Sequence, residues 1–322
     1  MKVLFENKSA AQAVDELMLR ESKVSIPCCR GRMRQYSFFN SREQSRNNPL
    51  CFCIDWYQQN KGVFFMDAFQ VYKDMKARTN GEIYIGVVGP VRTGKSTFIK
   101  RFMDLLVLPN MTDEHAKERT KDELPQSASG TTIMTTEPKF VPKDAASVRL
   151  SEDVEVKIRL IDCVGYMVDG ASGHIENDVE RQVKTPWFEH EIPFTKAAAI
   201  GTQKVIHDHA TIGLVITTDG SIGELPRENY ILAEEKTIQE LKSIGKPFLI
   251  LLNTQKPYSE ETKSLQGKME EKYGVSVLAV NCAQLRTEDI NQIMRQVLYE
   301  FPISEAEFIF RSGWKCCQRI TR

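Results

Sequence analysis

The stretch that decides the fold is Glu82-Ile83-Tyr84-Ile85-Gly86-Val87-Val88 followed by Gly89-Pro90-Val91-Arg92-Thr93-Gly94-Lys95-Ser96. The first seven residues are β-rich and end at a glycine, which predicts a buried strand. The next eight fit GxxxxGK[ST], the phosphate-binding loop pattern. From Ser96 to Val107 the apolar positions Phe98, Ile99, Phe102, Met103, Leu105 and Leu106 predict a helix packed on that strand, ended by Pro109-Asn110. Strand, glycine loop and helix are the context that the pattern needs. The glycines let backbone N–H groups turn toward phosphate oxygens, and the helix N-terminus adds unpaired N–H groups. Lys95 then reaches the β- and γ-phosphates, and Ser96 offers its hydroxyl to Mg²⁺.

Further along, Asp162-Cys163-Val164-Gly165 closes the apolar run that ends at Ile161. A carboxylate at a strand end is placed to hold the metal shell, and the glycine lets a backbone N–H approach the γ-phosphate. Between the two motifs lies Gly130-Thr131-Thr132-Ile133-Met134-Thr135-Thr136-Glu137. A hydroxyl from this run suits the Mg²⁺ sphere or γ-phosphate sensing; the other reading is a plain β-branched strand.

Ser147–Leu150 with Val154–Ile161 reads as a hairpin. Thr211–Thr217, Pro247–Asn253 and Val275–Val280 read as strands; Tyr230–Ile244, Ser259–Tyr273 and Thr287–Tyr299 read as helices. Asn110 to Gly130 is polar and reads as a loop with some helix. Strands alternating with helices predict an α/β fold, a mainly parallel sheet with helices on both faces.

Two departures from GTP-binding patterns stand out. After the Pro247–Asn253 strand the chain reads Asn253-Thr254-Gln255-Lys256, where guanine readers carry NKxD. Lys256 places a donor where guanine needs an acceptor, so guanine selectivity is expected to be lost. Directly after Gly165 comes Tyr166, where many GTPases place a water-orienting Gln, so slow hydrolysis is expected. The long Tyr166–Phe194 connection carries Thr185-Pro186-Trp187-Phe188-Glu189-His190, which reads equally as a contact surface or as a loop tucked on its own domain.

Composition agrees with an ordinary globular protein. The 322 residues are 41% hydrophobic and 27% charged, with Lys+Arg and Asp+Glu both 43. Zero net charge argues against nucleic-acid binding through bulk charge. No run approaches 18 apolar residues and the N-terminus has no signal pattern, so the expectation is a cytoplasmic protein.

The ends differ from the middle. Six of the eight cysteines, Cys28, Cys29, Cys51, Cys53, Cys316 and Cys317, lie outside residues 66–310, and their spacing suits neither a zinc site nor a disulfide framework. Lys61-Gly62-Val63 permits the coding AAAGGAG, a ribosome-binding sequence, eight nucleotides before the Met66 codon. Residues 1–65 are therefore expected to be a non-native or disordered extension, with Met66 the native start. A coding permitted for residues 311–322, shifted by one nucleotide, reads P-K-W-V-E-M-L-P-E-D-H, so that tail is expected to be frameshifted. The domain reading is thus 66–310, with both ends foreign to it.

Across those residues the chain resembles the stage IV sporulation protein A family. The resemblance rests on Val91–Lys100, Asp122–Ser127, Thr131–Pro142, Asp162–Tyr166, Thr217-Thr218-Asp219-Gly220 and Tyr299–Pro302. It implies a P-loop ATPase of the translation-factor-type GTPase class. The implied activity is slow hydrolysis of ATP with Mg²⁺, driving self-assembly into the basement layer of the bacterial spore coat. The implied place is the mother-cell side of the outer forespore membrane, with membrane contact only through a small amphipathic anchoring peptide, other coat proteins as partners, and no nucleic acid. It makes Lys95 the phosphate-binding lysine, Asp162 the Walker B carboxylate, and Thr135 and Thr136 the sensor threonines. Gly89, Arg92, Thr93, Gly94, Lys95, Ser96, Thr97, Gly165 and Asn253 are expected to hold the nucleotide, and Ser96 and Asp162 the metal. A ribosome-associated or regulatory GTPase, and a structural module with a relic nucleotide site, are the competing readings. The family's later domains carry polymer and peptide contacts, so a chain without them is expected to bind and hydrolyse ATP yet fail to build a coat.

Overall fold

In the computed structural model, residues 2–8, 68–125, 137–150, 154–171, 173, 175–176, 179–301 and 303–307 are described. Two compact units emerge, one formed by Met1–Met66 with Phe301–Arg322, the other by Asp67–Glu300. In the first, β1 (Lys2–Lys8) pairs antiparallel with the strand Ile303–Glu307, with Lys2 opposite Glu307 and Lys8 opposite Ile303.

The second unit starts with α1 (Ala68–Arg78) and β2 (Glu82–Val88). Helix α2 (Lys95–Phe102) runs on into a π turn at Met103–Val107 and a last turn at Leu108–Asn110, where Pro109 cannot extend it. Helix α3 (Glu114–Glu123) follows, capped by Asp113, whose carboxylate accepts from the His115 and Ala116 amides. Then come β3 (Lys139–Arg149), β4 (Glu155–Asp162), α4 (Phe194–Lys204), β5 (Ile212–Thr218), α5 (Arg227–Ile244), β6 (Phe248–Asn253), α6 (Glu260–Tyr273), β7 (Val277–Val280) and α7 (Thr287–Glu300). The sheet order is β7-β6-β5-β2-β4-β3, parallel except for β3.

Sequence explains the layering. Every residue of β5 and β6 is buried, as expected for strands covered on both faces. Side chains from the end of α4, from α5 and from α6 (Val205, Ile206, Ile238, Leu241, Met269, Tyr273) close over one face. On the other, α7 packs against α1, β6 and the π turn after α2. The hairpin arm β3 begins earlier than its alternation suggests, at Lys139 rather than Ser147. The physical reason is a register shift between Val141 and Ala146, around Pro142-Lys143-Asp144, which hides the period-2 pattern while Lys139–Val141 still pair with Leu160–Asp162.

A buried ion pair fastens the two helices on one face to the sheet. Glu234 of α5 is fully buried and accepts from Arg227 Nη1 (2.6 Å) and Nη2 (2.7 Å), Thr217 Oγ1 (2.5 Å) and Tyr273 OH (2.7 Å). Both carboxylate oxygens are thus satisfied by β5, α5 and α6 together. Arg227→Ala strands the carboxylate in the dry core, so a loss of about 3–5 kcal/mol is expected. Urea unfolding of the two proteins side by side checks this; a loss below about 1 kcal/mol would mean that the pair is solvated in solution.

Candidate functional site

The carboxyl ends of β2, β4, β5 and β6 meet at one rim of the sheet, the edge where open α/β folds bind ligands. At the end of β2 the loop Gly89–Gly94 turns back into α2. Gly94 caps that helix at φ +95°, a left-handed conformation that leaves the first-turn amides open. Arg92 also has positive φ, at 61°, so this loop holds an unfavourable backbone for its shape. Inside the turn Thr93 Oγ1 donates to the Pro90 carbonyl at 3.0 Å. The Lys95 ammonium folds over the loop and donates to the Pro90 carbonyl at 2.5 Å. Thr97, half-buried, lies in the first turn of α2 with Ser96.

Asp162 ends β4 directly beside β2, with Val87 as its register partner. Its Oδ2 accepts from Ser96 Oγ at 2.7 Å, across 66 residues of sequence. Its Oδ1 is buried with no hydrogen-bond partner among the described residues. Burial pushes the Asp162 carboxyl above the usual range, partly offset by the Ser96 hydroxyl and the Lys95 charge. Burial also pushes the Lys95 ammonium below its usual range, against the pull of the Asp162 carboxylate. Each charge is therefore short of a counter-charge: the ammonium suits a polyanion and the orphaned carboxylate oxygen suits a cation. A hard divalent ion such as Mg²⁺, bound by a hydroxyl and a carboxylate with waters, fits this pair.

Gly165 lies against the phosphate loop. Its φ is +95°, and a Cβ there would overlap the Gly89 carbonyl and crowd Lys95 Nζ at 2.8 Å. Tyr166 extends the contact: its carbonyl accepts the Val91 amide at 3.0 Å. Its ring is buried among Val91, Val168 and Tyr230. Cys163 is buried, with its thiol pushed up to about 11 by desolvation, so it serves as a core side chain.

Asn253 ends β6 and is 2% exposed. Its Nδ2 donates to the Thr93 carbonyl at 2.9 Å and its Oδ1 accepts the Cys282 amide at 3.0 Å. This amide ties the phosphate loop to the turns after β6 and β7. Sequence reading gave no role to Asp219, which ends the β5 turn. The structure gives it one: Thr254 Oγ1 donates to its Oδ2 at 2.5 Å, while the Ser221 amide and hydroxyl bind Oδ1. The signal was present as Asp-Gly after a buried run. A cavity of about 410 Å³ opens there, lined by Asp219, Ser221, Thr254, Lys256 and Glu261 among others.

Lys95, Ser96, Asp162, Gly165 and Asn253 thus converge with the loop Gly89–Gly94 on one rim. Thr135 and Thr136 lie outside the described residues. The Thr185–Phe194 stretch lies along α4, with Lys204 over the Trp187 ring at 5.7 Å and Lys196 over the Phe188 ring at 5.5 Å.

Comparison with known proteins gives a consistent result. Residues 66–302 match the family model described as the ATPase domain of stage IV sporulation protein A. The chain is 53% identical over 240 residues to stage IV sporulation protein A of Bacillus anthracis, covering 74% of this chain and 49% of that protein. It is 54% identical over 240 residues to the Bacillus subtilis strain 168 protein of the same name, with the same coverage. The Clostridioides difficile strain 630 protein is 54% identical over 235 residues, covering 73% of this chain and 48% of that protein. The chain belongs to the stage IV sporulation protein A family and spans about half the length of the curated relatives it matches.

The double-sided Asn253 contact has a measurable consequence. Asn253→Ala leaves the Thr93 carbonyl and the Cys282 amide buried without partners, which is expected to cost about 2–4 kcal/mol. Urea unfolding reads that loss, and a change under about 0.5 kcal/mol would show that water replaces the amide at both ends.

Proposed function

We propose that this member of the family binds ATP with Mg²⁺ and hydrolyses it slowly, in the service of spore coat assembly during sporulation. The observation that carries the reading is the part-buried Ser96–Asp162 pair beside the buried Lys95, in a region that matches an ATPase domain. Lys95 leaves its carbonyl partners to hold the β- and γ-phosphates, while the first-turn amides of α2, from Lys95 to Thr97, receive phosphate oxygens. Ser96 and Asp162 hold the metal, Asp162 through water. Mg²⁺ held there would neutralise the charge that develops on the phosphates. Gly165 brings backbone to the γ-phosphate, and Thr135 and Thr136 sense that group. Arg92 and Thr93 shape the loop, and Asn253 keeps it in register with the base side.

Lys256 supports ATP over GTP. Guanine needs an acceptor for its N1 and N2 donors, and a lysine at the fourth position of the motif supplies none. Slow turnover follows from Tyr166, whose hydroxyl is bonded to Glu240 on α5 rather than to a reacting water. The wider role is assembly of copies of the protein into the basement layer of the spore coat, on the mother-cell side of the outer forespore membrane. Contact with the membrane runs through a small amphipathic coat peptide, and other coat proteins join the layer.

Phosphate release from the full chain with ATP and with GTP, alongside Lys95→Ala, tests this reading. The expected result is ATP-selective release at or below about 10 per second, with Lys95→Ala slower by about 100-fold or more. Preference for GTP would return the protein to the regulatory GTPases. Release untouched by Lys95→Ala would mark the activity as foreign to this site.

A further inference from the structure

The residue after the Asp162–Gly165 turn has a place in the fold that differs from a water-orienting side chain. Tyr166 is 4% exposed. Its hydroxyl donates to Glu240 Oε2 on α5, and Gln203 Nε2 of α4 donates to the other oxygen of the same carboxylate at 2.6 Å. Lys236, one helical turn before Glu240, sets its ammonium 4.4 Å from the centre of the Tyr166 ring. On the opposite side the Tyr166 carbonyl takes the Val91 amide, and Pro90 and Tyr166 form a parallel bridge. One residue thus joins the phosphate loop by its backbone and two helices by its side chain. Gly165, immediately before it, is pressed on Gly89 and Lys95 with no room for a Cβ.

We propose that Tyr166 is a positioning residue: clamped by Glu240, it holds the Gly165 peptide against the phosphate loop and so sets the geometry at the γ-phosphate, without touching the attacking water. The inference rests on the ATPase reading above for its kinetic part, but not for its structural part. In GTPases that use a Gln here, the side chain must be free to reach the γ-phosphate side. Here the hydroxyl is turned toward α5, and the ring is packed under Lys236 and against Val91, Val168 and Tyr230. The phenol group therefore contributes through the backbone that it fixes. A positioned backbone acts on the transition state through geometry, so loosening it lowers kcat more than it raises KM. The same clamp gives α5 a direct mechanical link to the loop that reads the γ-phosphate.

The test uses the full chain and the variants Tyr166→Phe, Tyr166→Gln, Glu240→Ala and Glu240→Gln, with two readouts. Hydrogen exchange in the nucleotide-free protein follows the peptide over residues 87–94. Phosphate release from ATP gives kcat and KM. Loss of one buried hydrogen bond is expected to speed exchange of that peptide about tenfold in Tyr166→Phe and Glu240→Ala, with β6 unchanged. Turnover is expected to fall about tenfold in both variants with KM within about threefold, and Glu240→Gln, which keeps an oxygen acceptor, to recover most of it. Glu240→Ala serves where Tyr166→Phe fails to fold. Faster exchange without phosphate release from any protein, wild type included, would uphold the clamp and overturn the ATPase reading. Unchanged exchange in both variants would overturn the clamp. So would faster turnover in Tyr166→Gln, because that residue would then be acting as a poor water-orienter.

Discussion

The arrangement depends on two opposite charges taken out of water at neighbouring strand ends. Lys95 opens α2 after β2 and is buried, while Asp162 closes β4 half-buried at the same rim, with its Oδ1 shielded from water. Burial disfavours the charged form of each, and their mutual attraction offsets only part of that cost. Ser96 Oγ satisfies one carboxylate oxygen and leaves the other with no partner among the described residues. A core designed only for stability would not keep such a pair. A core built to take a polyphosphate and a divalent ion would, because those ligands complete both charges at once.

Keeping that rim in shape falls to a few polar stitches as well as to apolar packing. Asn253 spans from the phosphate loop to the turn after β7 with one amide. Glu234 gathers β5, α5 and α6 with one carboxylate. Tyr166 and Glu240 join the same loop to α4 and α5. Each stitch draws together groups from separate elements, and each leaves a buried or half-buried partner unsatisfied when cut. Buried networks of this kind act as units, since their members lose partners together.

Much of this was legible in the order of residues. The strand, glycine loop and helix around Gly89–Ser96 have local periodicities and a local turn chemistry, and the buried runs of β5 and β6 are continuous. Those features survive in a single chain read from one end. What stayed hidden is what depends on pairs distant in sequence. The reach of β3 back to Lys139 was masked by Pro142-Lys143-Asp144, where pairing shifts register. Glu234 and Glu240 look like ordinary polar positions on the amphipathic helix α5; only the fold brings Arg227, Tyr273 and Thr217 to one and Tyr166 to the other. Asp219 drew no reading beyond the resemblance, because its contact Thr254 comes from another strand end.

Tyr166 carries the sharpest lesson about reading a site by motif. Against the GTPase pattern it counts as a loss, because a phenol is a poor orienter of water. In the fold the same residue is a gain, since a large amphipathic side chain can bury its ring and still bond a carboxylate at its tip. A glutamine at this position lacks a ring to fill the space between Val91 and α5. The substitution therefore exchanges a mobile catalytic side chain for a fixed backbone. Under the proposed ATPase reading, a nucleotide loop braced to its helices suits slow turnover more than a switch that must cycle. On that logic the loss of the water-orienting residue and the bracing of the loop are one adaptation, written at a single position.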